Sequence, residues 1–286
     1  MNPNAMVGSI IIPAWNEVAV IQRTLVHLFD GLIDEGARTP HVVVACNGCT
    51  DGTPEVVRRL GLDVTVLDLP AVGKPGSIRA AEAVTSELPR LYLDADVELH
   101  GHSARLVLDA LSAGAVAARP PLIYDLDGAS HIVQMFYSVR SRLVGPSGDL
   151  CGAGVYGLSA EARARFGCFP DVVADDLFAA WIVEQQEVTI VDCDPVRVRV
   201  PRTARHLVRT LARTNRGNRE LAAAYPLLAR QTATTTVACL ASQVRDVRTL
   251  GEVGVYAALV ASGRALSRLP SRGWARDESS REAHES

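Results

Sequence analysis

The chain has 286 residues, 48% of them hydrophobic and 21% charged, with a formal net charge of -3. That length and apolar content support a large α/β domain with a sizeable core, and the small net charge gives no reason to expect nucleic acid as a partner. No apolar run reaches the roughly 18–20 residues that a membrane-spanning helix needs, and residues 1–8 lack the basic and apolar regions of a secretion signal, so a cytoplasmic location is expected.

In chain order, Ser9-Ile10-Ile11-Ile12 is a β-branched run stopped by Pro13 and reads as a first buried strand. A helical pattern follows over about 17–32. His41–Ala45, enclosing Val42-Val43-Val44, is a second strand, closed by the turn residues Asn47-Gly48. Thr53 is expected to be the N-cap of the next helix, with Pro54 at its first position. Val64–Leu69 reads as a third strand, 75–86 as a helix, Leu91-Tyr92-Leu93 as a fourth strand and Ala115–Ala118 as a fifth. Strand alternating with helix predicts an α/β fold: a Rossmann-like, mostly parallel sheet covered on both faces. Further on, 130–144 and 174–184 are helical, 188–191 and 196–200 are strand-like, and the chain from His206 to about Leu269 is a helical extension. The expected divisions are 1–120 for the first half of the α/β domain, 121–205 for its second half, 206–270 for the helical extension, and a disordered tail over 271–286. Of the six cysteines only Cys46 and Cys49 are close, and no second pair follows at zinc spacing, so they read as small buried residues.

Ligands of parallel sheets bind beyond the carboxyl ends of the strands. The residues there are Pro13 to Glu17, Asn47 to Asp51, Gly73-Lys74 and Asp94 to Asp96. Asp94-Ala95-Asp96 carries the argument. Two carboxylates at the end of a buried strand are costly unless something compensates their charge. Mg²⁺ or Mn²⁺ suits them, since either takes one or two carboxylates together with substrate phosphates. The plain alternative is a strand-end turn with capping aspartates. Lys74 sits among glycines that permit close backbone approach to a phosphate.

Six segments taken together resemble glycosyltransferase family 2. They are Ile10–Glu17, Asn47–Thr53, Gly73–Arg79, Asp94-Ala95-Asp96, Gly152-Ala153-Gly154 with Phe166–Pro170, and Ala174-Asp175-Asp176-Leu177. The resemblance covers about residues 9–180 and implies the A-type glycosyltransferase fold and inversion at the anomeric centre. It implies that Pro13 and Glu17 border the nucleoside, that Asn47 stands where an Asp often contacts the base, and that Lys74 and Arg79 reach the diphosphate. It places Asp94 near the ribose and the metal, and makes Asp96 the metal ligand. Asp175-Asp176 falls at the general-base motif, with Asp176 as the base; otherwise the pair are first-turn residues favoured by the helix dipole. The implied donor is a nucleotide-diphosphate sugar, a UDP-sugar first, and the acceptor is lipid-linked, glycan or small-molecule.

Arg202, Arg205, Arg209, Arg213 and Arg216 recur at three- or four-residue steps, the spacing of one helix face. Such a face fits the leaving diphosphate, anionic lipid phosphates at the inner face of a membrane, or plain solvent. The apolar stretch after Val237 fits a packing helix, a homodimer contact or a peripheral membrane contact. Two competing functions are a sugar nucleotidyltransferase and a non-catalytic nucleotide-sugar-binding protein. The former usually has a glycine-rich basic loop after the first strand, where this chain has Pro13-Ala14-Trp15-Asn16-Glu17. The absence of G-x-G-x-x-G at that place argues against a dinucleotide-dependent dehydrogenase.

Overall fold

A computed structural model of the chain describes residues 8–32, 39–144, 149–172, 174–229 and 237–269. The tail expected over 271–286 lies outside the described residues. The strands are β1 (Ser9–Ala14), β2 (His41–Asn47), β3 (Val64–Leu69), β4 (Arg90–Leu93), β5 (Ala117–Arg119), β6 (Leu122–Asp125), β7 (Val155–Leu158), β8 (Val188–Ile190) and β9 (Val196–Arg199). The helices are α1 (Ile21–Phe29), α2 (Thr53–Arg59), α3 (Gly73–Ala83), α4 (Gly101–Ser112), α5 (His131–Val144), α6 (Ala160–Ala164), α7 (Asp175–Ile182), α8 (Ala204–Ala224), α9 (Pro226–Ala229), α10 (Val237–Ser242) and α11 (Val247–Ser267).

The chain forms two compact units, Met1–Leu122 with Gly148–Val198, and Ile123–Ser147 with Arg199–Ser286. The first holds a seven-stranded sheet in the order β3-β2-β1-β4-β7-β5-β8. β1 pairs in parallel with β2 and β4, and β2 with β3. β7 runs antiparallel between β4 and β5, and β8 lies parallel to β5. Ile10, Ile11 and Ile12 are fully buried, as are Val42, Val43 and Val44. Both faces of these central strands are covered, which is why they read as unbroken β-branched runs. Burying each such side chain contributes about 1.5–3 kcal/mol. β6 and β9 pair in a separate two-stranded sheet.

Several elements depart from the expected pattern: α4, α6, β6 and β7 were not expected, and α2 begins differently. Thr53 is the first residue of α2, not its cap; the capping position is Gly52, in left-handed conformation. Asp51 takes over the capping bond, with Oδ1 accepting the Thr53 amide at 3.0 Å. β7 was not anticipated, because four residues preceded by Gly152 and Gly154 carry too short a pattern to identify a strand. β7 also makes the sheet mixed at its far side.

The second unit packs α5, α8 and α11 around Val133, Phe136, Leu207, Tyr256 and Leu259. Phe136 and Tyr256 stack with ring centroids 4.8 Å apart. Asp246 caps α11, its Oδ1 accepting the Thr249 amide at 2.8 Å. Glu252, a charge inside the apolar stretch, is buried against Ser138 Oγ at 3.0 Å and Arg142 Nη2 at 2.9 Å. No described helix is long and apolar enough to cross a membrane.

Candidate active site

The carboxyl ends of β1, β2 and β4 carry the residues singled out in the sequence. After β1 the chain turns through Asn16, which has φ 54°. Its amide donates to Cys49 Sγ at 3.2 Å, and its Oδ1 accepts the Thr50 amide at 2.6 Å. One residue on, the Glu17 amide donates to Thr53 Oγ1 at 2.8 Å, and that hydroxyl donates to Asp51 Oδ1 at 2.6 Å. The loops after β1 and β2 are thus joined by at least three bonds. Pro13 is half-buried in β1, and Glu17 is buried at the start of this turn. Cys46 is fully buried and Cys49 half-buried, and both thiols are free.

Asn47 is 5% exposed. Its Oδ1 accepts the amides of Val72 and Gly73 at 2.7 and 2.9 Å, so this side chain holds the loop that leads to Lys74. The loop presses on Gly48, at φ +60°, where an added Cβ would meet Ala71 Cβ at 2.8 Å. A side chain there is excluded by both backbone and space.

Lys74 is the hub. Its Nζ lies 2.8 Å from Asp94 Oδ1 and 2.8 Å from Asp175 Oδ1. Side-chain exposure falls from 40% at Asp94 to 22% at Lys74 and 4% at Asp175. One ammonium therefore bridges a solvent-facing carboxylate and a buried one. Burial alone would depress Lys74, but the Asp175 and Asp94 carboxylates outweigh it and hold the ammonium above the ordinary lysine value.

The Asp94-Ala95-Asp96 turn is tied down from both sides. The Asp94 amide donates to the Gly154 carbonyl at 2.8 Å, and Thr24 Oγ1 of α1 donates to the Ala95 carbonyl at 2.9 Å. Gly154 has φ +65°, and a Cβ there would fall 2.5 Å from Val97 Cγ2 and 3.4 Å from Asp94 Oδ2. The glycines after Asp149 thus let β7 approach the carboxylate turn. Asp96 is exposed.

Asp175 and Asp176 open α7. Tyr156 of β7 donates its hydroxyl to Asp175 Oδ2 at 2.9 Å, inside the protein. Asp176 is half-buried; its Oδ1 accepts the Leu177 amide at 2.8 Å and its Oδ2 the Gly152 amide at 3.3 Å. Burial first, then the neighbouring Asp175 charge, push the Asp176 carboxyl up to about 6, against the opposing pull of Lys74. A carboxylate near 6 is suited to accept a proton at neutral pH.

Arg79 is committed elsewhere in this unit: Nη1 donates to the Phe169 carbonyl at 2.9 Å and Nη2 lies 3.4 Å from Asp171 Oδ1. Two groups went unnoticed in the sequence. Tyr156 faces Tyr92 in the β4–β7 register, and the rings stack at 4.8 Å. Tyr92 donates to Glu82 Oε1 at 2.7 Å, and Glu82 is clamped by Arg163 Nε at 2.7 Å and Arg90 Nη1 at 2.8 Å. Nothing in the local pattern marks these residues; the register of β4 and β7 brings the two tyrosines together, and Glu82 and Arg163 meet Tyr92 from α3 and α6.

The carboxylate set can be tested for a metal. Among the described residues no group of three or more His, Cys, Asp or Glu side chains is arranged to hold an ion. Asp94 and Asp96 therefore do not make a closed structural site. Two carboxylates at a solvent-facing turn do fit a Mg²⁺ or Mn²⁺ ion that completes its shell with phosphate oxygens and water.

Residues 9–148 match the family model described as Glycosyl transferase family 2. No curated protein sequence matches the chain. Among solved structures, the mannosyltransferase PcManGT from Pyrobaculum calidifontis, in complex with GDP-Man and Mn²⁺, has a TM-score of 0.57 at 18% identity, covering 93% of this chain and 84% of that one. S. aureus TarS 1-349 in complex with UDP has a TM-score of 0.51 at 15% identity, covering 91% and 87%. These two likenesses speak for the fold, and the family match sets aside the nucleotidyltransferase and non-catalytic readings. That match falls on the sheet that carries the carboxylate turn, so residues 9–148 are a glycosyl transferase family 2 domain and the chain is a glycosyltransferase.

Proposed function

We propose that this enzyme transfers a sugar from a nucleoside-diphosphate donor to an acceptor hydroxyl by in-line displacement with inversion, using a divalent metal. The observation that carries the reading is the Lys74 bridge, which ties the donor-side carboxylate Asp94 to Asp175, the neighbour of the base Asp176. Donor and acceptor chemistry then share one centre.

In this reading the loops after β1 and β2, with Pro13, Glu17 and Asn47, border the nucleoside. Asp94 and Asp96 would hold Mn²⁺ or Mg²⁺, which would neutralise charge on the departing diphosphate. Lys74 adds a fixed cation beside the same carboxylate, and Arg79 adds a second one on turning away from Asp171. Asp176 takes the proton of the acceptor hydroxyl while that oxygen bonds to the anomeric carbon. The bond from that carbon to the diphosphate oxygen breaks, and the nucleoside diphosphate leaves with the electron pair. Attack opposite the leaving group inverts the centre. Two structural neighbours were solved with GDP-Man and with UDP, which supports testing both nucleotides.

The test is calorimetric titration of the purified protein with UDP and with GDP, with and without Mn²⁺, repeated on Asp96→Ala. Metal-dependent binding of one nucleotide, lost in the variant, is expected. Binding indifferent to both metal and Asp96, or no binding of either nucleotide, would overturn the donor site.

A further inference from the structure

Charge is strongly partitioned along this chain. The unit Ile123–Ser147 with Arg199–Ser286 contains seventeen arginines and nine acidic residues. The rest contains twelve basic and twenty-three acidic residues, so the net charge of -3 conceals two opposite signs. An ordinary solvated surface mixes the signs.

Five of those arginines stand on α8, where Glu220 is the single acid. Arg205, Arg209, Arg213 and Arg216 fall within about 80° of arc on the helix. Arg205, Arg209 and Arg213 are exposed, and Arg205 and Arg209 make no ion pair with any described residue. α11 lies close along α8, since a Cβ on Gly263 would fall 2.6 Å from Leu211 Cβ. Arg216 Nη2 donates to the Leu269 carbonyl at 3.4 Å, and Arg219 Nη2 to the Ser267 carbonyl at 2.5 Å. The last turns of α11, held to α8 in this way, carry two more exposed arginines, Arg264 and Arg268. Exposed aliphatic side chains stand at the same end, Leu269 at 59% and Leu227, just past α8, at 77%.

We propose that this arginine face docks on an anionic lipid bilayer. On this helix the row from Arg205 to Arg216 is straight and about 17 Å long, which suits a plane of phosphate headgroups. Arginines on one face with exposed leucines at the margin are the chemistry of an interfacial helix, with the leucines entering the boundary between headgroups and acyl chains. The row carries no aromatic side chain on which a base could stack, so the face favours lipid over single-stranded nucleic acid. Each arginine near an anionic surface strengthens partitioning about fivefold, so removing three should weaken it by about two orders of magnitude and reversing their charge by more.

The experiment is cosedimentation of the full chain with phosphatidylcholine vesicles, with and without a third of phosphatidylglycerol. Wild type is expected to sediment with the anionic vesicles alone and to be released by salt. The Arg205→Glu, Arg209→Glu, Arg213→Glu triple variant should lose that binding by more than about a hundredfold while keeping wild-type helicity and nucleotide affinity. A milder Arg205→Gln, Arg209→Gln pair should lose an intermediate amount, which covers the event that the triple variant fails to fold. Failure of wild type to bind anionic vesicles, equal binding by the variants, retention on a nucleic-acid duplex without vesicle binding, or loss of nucleotide affinity in the folded triple variant would each overturn the proposal. Because nucleotide binding is measured separately, the donor-site reading stands or falls on its own.

Discussion

Protonating Asp176 is a perturbation that needs no mutation. Burial and the Asp175 charge raise this carboxyl from 3.8 to about 6, a preference for the neutral acid of about 3 kcal/mol. A group titrating at about 6 is about 90% ionised at pH 7 and about 10% ionised at pH 5. If Asp176 is the base, kcat/KM for the donor, which reports the free enzyme, should fall nearly tenfold over that interval. An ordinary carboxyl near 4 would still be about 90% ionised at pH 5, and kcat/KM would hardly change. The assay is release of nucleoside diphosphate from a donor sugar, with water as acceptor, followed from pH 4.5 to 8 (about the usable range for a carboxyl base). Asp176→Asn should bind donor as wild type does, lose turnover at every pH, and show no acid limb. A wild-type profile flat down to about pH 5, or full turnover in Asp176→Asn, would refute the assignment. The same shift has a stability sign. Because the folded value is raised, this group favours folding below about pH 4, and its contribution is lost as pH rises through about 6.

Two more outcomes follow from the residues beneath the site. Tyr156→Phe keeps the stack on Tyr92 but removes the bond to Asp175, so donor affinity should stay near wild type while turnover drops about tenfold; unchanged turnover would show that Asp175 needs no support from β7. Glu82→Gln removes a charge buried between Arg163 and Arg90, and should cost about 3–5 kcal/mol and roughly 10 °C in melting temperature. Burial opposes ionisation of Glu82, but Arg163 and Tyr92 outweigh it and hold the carboxyl below its usual range. That stabilisation is therefore present above about pH 4.5 and lost on acidification through the lowered value, so the gap between variant and wild type in thermal melts should close in acid.

The sheet was legible because its cause is local. Ile10-Ile11-Ile12 and Val42-Val43-Val44 are buried on both faces and must be apolar throughout, so parallel central strands declare themselves without any partner in view. The polar clusters after β1, β2 and β4 were legible for a related reason, since a buried strand that ends in Asp94 or Asn47 needs something for those groups to do. The segment motifs then placed Asp175 and Asp176 at the start of a helix, where α7 begins.

Long-range pairings were not legible. β7 is four residues long and antiparallel, and its place beside β4 depends on a chain reversal that no period announces. That register sets Tyr156 over Tyr92 and under Asp175, while Glu82 of α3 and Arg163 of α6 close a buried clamp beside it. Asn47 reads in the sequence as a base contact, while in three dimensions its oxygen holds the Val72 and Gly73 amides. Lys74 reads as a phosphate ligand, while its ammonium joins Asp94 to Asp175, one hundred and one residues further along the chain. By itself the sequence determined which strands are buried and which polar residues stand at their ends, because burial and alternation act over a few neighbouring residues. Only the tertiary structure decided which of those polar residues meet, because an ion pair depends on a distance that the chain must fold to create.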